Sequence, residues 1–172
     1  RARMLGGRTN HWGRISLRFG PDDFKGKSKD GLGDDWPISY DDVAPYYDRV
    51  DELIGIFGSN EGLRNHPDGK FLPVPKPRCY ELLVKKASDK LGVLCIPSRM
   101  SILTKSIHGR QVCHYCGQCN RGCSVKANFS SPDVLIAPAR TTGRLTLVTN
   151  AMAREVTVGP DGLATGVSYI DK

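Results

Sequence analysis

The sequence lacks any apolar run long enough to cross a membrane, and it shows no signal-peptide pattern. It also lacks a G-x-G-x-x-G motif, so a complete dinucleotide-binding fingerprint is absent. Aromatic residues make up only 8% of the chain and are not interleaved with the basic ones, which argues against a nucleic-acid-binding face despite a formal net charge of +7. With 172 residues, 39% of them hydrophobic, the chain is long enough for one domain with a core.

The chain begins at Arg1 rather than at a methionine, and it ends at Lys172, directly after a predicted strand. We therefore expect an interior piece of a longer protein, incomplete at both ends. The absence of a motif from such a piece says little about the whole protein.

A cysteine run is the most specific feature of the sequence. Four of the six cysteines lie within eleven residues, with two, two and three residues between them: Cys113, Cys116, Cys119 and Cys123. This is the spacing of the bacterial ferredoxin run, except that Ser124 stands where that run has proline. Zinc sites usually separate two C-x-x-C pairs by a dozen or more residues, whereas here the pairs overlap. The spacing favours an iron–sulfur cluster, with disulfides, zinc or inert thiols as the alternatives.

A second candidate site lies near the start of the chain, at Gly6-Gly7-Arg8-Thr9-Asn10-His11-Trp12. Glycine allows a backbone to approach a ligand where a Cβ would collide. Thr9, Asn10 and His11 then offer hydrogen-bonding groups at the point of contact. A simple Gly-Gly turn is the alternative interpretation.

Three helices are predicted. Ser39 and Asp42 form a capping-box pattern at the start of the first, which Gly55 or Gly58 can end. The second is predicted over about Tyr80–Leu91, and a third over residues 133–137.

Strand patterns predict six short strands, at residues 15–19, 93–96, 101–104, 145–148, 153–158 and 165–170. The strand at 93–96 is expected to be buried. Gly159-Pro160-Asp161-Gly162 is a strong hairpin turn between the last two strands. Residues 20–38 and 58–78 are predicted to be loops. The chain as a whole is predicted to be α/β.

Several stretches, in order along nearly the whole chain, together resemble the glucose–methanol–choline (GMC) family of flavin oxidoreductases. They are residues 6–12, Asp35-Trp36-Pro37-Ile38-Ser39-Tyr40, Pro45-Tyr46-Tyr47, the cysteine run, Phe129-Ser130-Ser131 and the closing hairpin. The resemblance implies part of an FAD-binding Rossmann-like domain, together with the start of a substrate or cap region.

The resemblance also implies an organisation of the chain. Residues 1–20 would be the flavin-contacting loop and a strand of the FAD domain, and residues 21–110 a helical and loop insertion leading into the middle region. Residues 111–131 would be the cysteine-rich motif, and residues 132–172 a return to the FAD domain.

In that family the Gly-Gly loop lies against FAD. This implies backbone approach at Gly6 and Gly7, and contacts from Thr9 and Asn10 near the polar edge of the flavin. The resemblance further implies that Ala151 to Ala153 run past the adenine half of FAD.

The pair His11-Trp12 resembles the His-Trp of pyranose oxidase and of sugar dehydrogenase large subunits. In pyranose oxidase that histidine is bonded covalently to the flavin. The resemblance therefore implies that both residues are cofactor-binding and that a covalent link at His11 is an open question.

The implied activity is oxidation of a CH–OH group of a sugar or other alcohol, with hydride transfer to flavin N5 while a base removes the hydroxyl proton. The catalytic histidine of the family is expected outside this chain, so no catalytic residue is predicted within it.

The cysteine run is similar to that of a bacterial branch in which a three-iron cluster passes electrons to a haem-containing subunit. Cys113, Cys116 and Cys119 would supply three thiolates, with Cys123 as a fourth candidate ligand. A ferredoxin-like electron-transfer module and a disulfide-stapled binding domain are the rival functions. Cys79 and Cys95 are expected to be packing residues.

Overall fold

The computed structural model describes residues 2–172, which form a mixed helix-and-strand fold with a small two-stranded sheet. The helices are α1 (Gly26–Asp30), α2 (Tyr40–Ile54), α3 (Cys79–Lys90) and α4 (Ala137–Thr141), the last preceded directly by a π-helix (Pro132–Ile136). Three single 3₁₀ turns occur at Gly7–Asn10, Pro21–Phe24 and Cys119–Arg121. The strands are β1 (Ala151–Val158) and β2 (Ala164–Asp171). The predicted fold class is confirmed, since this is the content expected of part of an α/β domain.

Helix α2 forms where its capping signal predicts it. The backbone N–H of Ser39 donates to the Asp42 carboxylate over 2.8 Å, and the Ser39 hydroxyl accepts from the Asp42 N–H over 3.4 Å. Gly55 ends the helix with a φ of 76°, a value that glycine adopts readily. The prediction of this helix is confirmed at both ends.

Helix α3 lies within one residue of its predicted bounds. The carboxylate of Glu81 accepts from the backbone N–H of Arg78 over 2.6 Å and so satisfies a free donor at its start. Its apolar residues remain exposed, as Leu83 illustrates with 68% of its surface accessible. Cys79 is exposed too, so the expectation that it packs in a core is wrong, whereas Cys95 is half-buried.

The closing hairpin is confirmed. β1 pairs antiparallel with β2, with Ala151 opposite Asp171 and Val156 opposite Val167. The turn is closed by a hydrogen bond from the Gly159 N–H to the Leu163 carbonyl, 2.8 Å long. Most side chains on both faces of this hairpin are exposed.

The four other predicted strands are wrong. Ile15 and Ile102 each make one isolated bridge, to Met100 and Asn128 respectively, and residues 93–96 and 145–148 form no ladder. Val93 and Leu94 are exposed rather than buried. A strand requires a neighbouring segment that pairs with several of its residues in succession, and within residues 2–172 such a continuous ladder forms only in the hairpin.

Of the remaining local predictions, one helix and one loop are confirmed, and a second loop is partly wrong. Residues 133–137 are helical as predicted, starting as a π-helix and continuing into α4. Residues 58–78 contain no helix or strand ladder, as predicted. Residues 20–38 are more ordered than expected, since they contain α1 and a 3₁₀ turn that buries Phe24. No helix among residues 2–172 combines the length and the apolar character that crossing a bilayer requires.

The core lies where three distant stretches of the chain meet. Ile54 and Ile56 at the end of α2 pack with Phe129 and Val134, which follow the cysteine run. Trp12, from the loop near the start of the chain, packs against the same cluster. The core therefore packs the loop near the start of the chain against residues that follow the cysteine run.

Buried arginines complete this small core by linking separate segments. Arg18 forms ion pairs with Asp48 and Asp51 of α2. In the pair with Asp51, both side chains are almost wholly buried. Arg110 donates to the carbonyl oxygen of Ile54 over 2.8 Å and to that of Lys126 over 2.9 Å. The second of these arginines ties the end of α2 to the segment after the cysteine run.

Candidate functional site

The loop Gly6–Trp12 turns sharply at its two glycines. Gly6 has a φ of 86° and Gly7 a φ of 50°, both in the left-handed region. A Cβ built on Gly6 would lie 2.4 Å from Cδ of Pro132, so the chain's own packing requires glycine there. A Cβ on Gly7 would meet nothing within 4 Å. The side of the loop at Gly7 is therefore open to a ligand, whereas the side at Gly6 is filled by protein.

Thr9 anchors the loop. Its hydroxyl donates to the Gly6 carbonyl over 2.6 Å, accepts from the Ser131 N–H over 3.0 Å and lies 2.9 Å from the Ser131 hydroxyl. A hydroxyl has one donor and two acceptor positions, so these contacts use its whole capacity. Thr9 thus holds the loop against Ser131 through its hydroxyl, and its assignment as a contact of the cofactor stays a prediction.

Asn10 and His11 keep polar atoms available. The Asn10 amide nitrogen donates to the carbonyl oxygens of Leu5 over 2.8 Å and of Gly7 over 3.3 Å, which leaves its Oδ1 without a partner among the described residues. His11 is exposed, and its Nδ1 lies 3.3 Å from the Arg8 carbonyl oxygen, whereas Nε2 has no such contact within residues 2–172. These two atoms are the ones that the loop offers to a ligand.

Trp12 faces inward. Its indole N–H donates to the Phe129 carbonyl over 3.4 Å, and the two rings meet edge to face with centroids 6.1 Å apart. Trp12 therefore fixes the loop onto the core. If Trp12 contributes to cofactor binding, as predicted, it would do so by holding the loop in place.

A cavity of about 360 Å³ lies between this loop and the cysteine run. Asn10 and His11 line it on one side, and residues 120–123 line it on the other, with Asn128 beside them. Its volume falls in the range of small-molecule sites.

The cysteine run folds back on itself through left-handed residues. Gly117 has a φ of 71° and Gly122 a φ of 101°, as expected for tight turns. Tyr115, which lies between Cys113 and Gly117, also has a positive φ, of 59°. All four cysteines line a second cavity, of about 330 Å³. The run therefore places its four cysteine residues around one space.

Two thiols receive backbone hydrogen bonds. The Ala127 N–H donates to Sγ of Cys123 over 3.2 Å, and the Tyr115 N–H lies 3.4 Å from Sγ of Cys113. Donors of this kind stabilise negative charge on sulfur, which is the form in which cysteine binds metals.

A metal centre is not preassembled by this arrangement. Among residues 2–172, no three His, Cys, Asp or Glu side chains are grouped closely enough to hold one metal ion. All six cysteines are free thiols, so the disulfide-stapled alternative finds no support in the structure. The donor chemistry fits a thiolate-bound cluster, but the thiols would have to close in around it.

Arg14 joins the two candidate sites and was not predicted. It is 1% exposed, and its guanidinium reaches Asn10 and Trp12 on the loop and Asn120 in the cysteine run. Burial lowers the pKa of Arg14, and the nearby Cys119 and Cys123 act in the opposite direction. Nothing in the sequence distinguishes Arg14 from the exposed arginines around it.

The predicted adenine contacts are not brought to this region. Ala151 and Ala153 stand at the start of β1, opposite Asp171 and Tyr169. Neither residue lines either of the two cavities. Their assignment to FAD stays a prediction.

Comparison with protein-family models finds no match. Among curated proteins, the chain is 33% identical over 172 residues to a 2-methyl-1,2-propanediol dehydrogenase of Mycolicibacterium austroafricanum, covering 97% of this chain and 31% of that protein. It is 26% identical over 171 residues to the fructose dehydrogenase large subunit of Gluconobacter japonicus, covering 97% of this chain and 31% of that protein. It is 26% identical over 200 residues to the gluconate 2-dehydrogenase flavoprotein of Pantoea cypripedii, covering 96% of this chain and 32% of that protein.

The chain thus spans about a third of the length of the curated relatives that it matches. Nearly all of this chain is aligned in each case. By this comparison, the chain is similar to one segment of dehydrogenases that are named for alcohol and sugar substrates.

Proposed function

We propose that this chain is a segment of a GMC-family, FAD-dependent oxidoreductase that oxidises the CH–OH group of a sugar or other alcohol. The observation that carries the proposal is the match of nearly the whole chain to three dehydrogenases named for hydroxyl-bearing substrates, one of them named a flavoprotein. The order of motifs along the sequence supports the same family.

The loop Gly6–Trp12 is the proposed flavin-facing element. Gly7 leaves open space where a Cβ would stand, and Asn10 Oδ1 and His11 Nε2 are free to contact a ligand. Thr9 and Trp12 hold the loop to Ser131 and Phe129 and so keep those groups in place. Gly6 is needed for the close approach of the loop to Pro132.

FAD would supply the hydride acceptor of the reaction. The residues of this chain would bind and orient it, and they would not abstract the substrate proton. The catalytic base is proposed to lie elsewhere in the full-length protein.

The cysteine run is the proposed second redox site. Four cysteine residues line one cavity, and the thiols of two of them accept backbone hydrogen bonds. We assign Cys113, Cys116, Cys119 and Cys123 as candidate ligands of an iron–sulfur cluster, with a three-iron cluster favoured. A haem-containing subunit is the proposed electron acceptor.

The test is anaerobic reduction of the full-length protein by a panel of simple alcohols, sugars and sugar acids. We expect the purified protein to contain flavin, and at least one compound of the panel to bleach the flavin's visible absorbance. A protein without flavin would contradict the proposal and would favour the ferredoxin-like alternative if iron were present.

A further inference from the structure

Arg14 occupies an unfavourable position. It is 1% exposed and has a φ of 63°, a left-handed value that is uncommon for a residue with a long side chain. Its Nε is buried without a hydrogen-bond partner among residues 2–172. Buried charge, backbone strain and an unsatisfied donor each cost free energy, and such features cluster where a protein needs one fixed arrangement.

The guanidinium of Arg14 connects two segments more than a hundred residues apart. Nη1 donates to the Trp12 carbonyl and, over 3.1 Å, to Oδ1 of Asn120, while Nη2 donates to the Asn10 carbonyl over 3.2 Å. Asn120 follows Cys119 directly in the cysteine run. One planar fork therefore fixes the glycine loop relative to the cysteine run.

The backbone of Arg14 is fixed as well. Its carbonyl oxygen accepts from the Ser101 N–H over 2.9 Å, and Ser101 is fully buried. The linkage is thus anchored in the interior, so it can hold both segments in place.

The two cavities meet beside this linkage. Gly122, Cys123 and Asn128 line both of them. Asn128 also donates to the Cys119 carbonyl over 3.2 Å. The cavity beside the glycine loop and the cavity of the cysteines are therefore neighbours that share three lining residues.

We propose that Arg14 is a positioning residue that sets the separation between the flavin and the group held by the cysteines, and thereby the rate of electron transfer between them. The inference rests on the proposed function. With both groups bound, FAD would supply one electron per transfer and the cluster would accept it, the flavin's protons would leave to solvent, and an acceptor of the quinone or haem class would reoxidise the cluster. Arg14 takes no part in these steps except by holding the two sites.

The experiment uses the full-length protein with Arg14→Lys, Asn120→Ala and the double substitution. Lysine keeps the charge but cannot donate to three acceptors in one plane. Asn120 is exposed, so its truncation should not impair folding. Arg49→Lys, at an exposed position of α2, is the matched control. The readouts are iron and FAD content, the electron paramagnetic resonance spectrum of the cluster, and stopped-flow rates of flavin reduction and cluster reduction.

We expect Arg14→Lys and Asn120→Ala to retain both cofactors and to reduce flavin at the wild-type rate. Transfer to the cluster should slow about tenfold or more, as when positioning of two reactants is lost. The resonance spectrum should change, and the double substitution should resemble the single ones because both remove the same contact. Arg49→Lys should behave as wild type.

Wild-type transfer and an unchanged spectrum in Arg14→Lys would overturn the inference about Arg14. If that variant fails to fold, Asn120→Ala decides alone, since wild-type transfer in it would likewise overturn the inference. A wild-type protein without iron would instead overturn the cluster assignment, and this inference with it, before any variant is compared.

Discussion

Replacing Gly7 with alanine should weaken FAD binding without unfolding the loop. The new methyl group would meet nothing within 4 Å in the chain, so the only internal cost is the left-handed φ of 50°. That strain amounts to about 1–2 kcal/mol. If flavin lies against this side of the loop, the methyl group adds an overpacking penalty of about 1–3 kcal/mol that acts only in the bound state.

A matched control separates the two costs. Gly31 also has a left-handed φ, of 83°, and a Cβ there would likewise meet nothing within 4 Å, but it ends α1 in an exposed segment. Gly31→Ala should therefore carry the strain without the effect on flavin. Gly6→Ala is the opposite case, because its Cβ would collide with Pro132 and should destabilise the loop itself.

The assay is titration of FAD into the apo form of the full-length protein, combined with the melting temperature of each apo variant. We expect Gly7→Ala to raise the dissociation constant of FAD about tenfold relative to Gly31→Ala, since each 1.4 kcal/mol corresponds to a factor of about ten. Equal FAD affinities in Gly7→Ala and Gly31→Ala would refute the position assigned to the flavin.

Three further predictions concern other parts of the molecule. If His11 is linked covalently to flavin, acid-precipitated full-length protein should keep its flavin in the pellet and His11→Ala should release it; flavin wholly in the wild-type supernatant would exclude the link. Arg18→Met should destabilise the protein by about 3 kcal/mol, because it leaves the buried Asp51 carboxylate unpaired. Lys27→Met removes an exposed ion pair and should lower the free energy of unfolding by less than about 1 kcal/mol. Calorimetric unfolding of both variants measures the two losses, and equal losses would contradict this reasoning. Cys116→Ser should remove iron and sulfide while leaving most of the FAD, and undiminished iron would show that this thiol is not a ligand.

Local signals in the sequence predict the elements that depend on local contacts. The capping box of Ser39 and Asp42 and the turn at Gly159–Gly162 act within a few residues, and both appear as expected. The strand predictions at 93–96 and 145–148 are wrong because apolar composition does not reveal whether a pairing partner is present. Strand formation depends on distant segments, which sequence patterns do not locate.

The same limit applies to the candidate site. Glycine at positions 6 and 7 predicts an unusual turn, but only the structure distinguishes the glycine that faces Pro132 from the one that faces open space. The role of Thr9 depends on Ser131, which lies 122 residues away. Arg14 acquires its position from Asn120, 106 residues away, so neither anchoring residue could be identified from its neighbours in sequence.

The most direct test of the account is the cofactor content of the full-length protein, purified anaerobically and assayed for flavin, iron and acid-labile sulfide. We predict that FAD, iron and acid-labile sulfide are all present, because the glycine loop and the cysteine run are separate sites in one molecule. Flavin without iron or sulfide would contradict the cluster assignment and leave the flavin assignment standing. Protein without flavin would contradict the central claim.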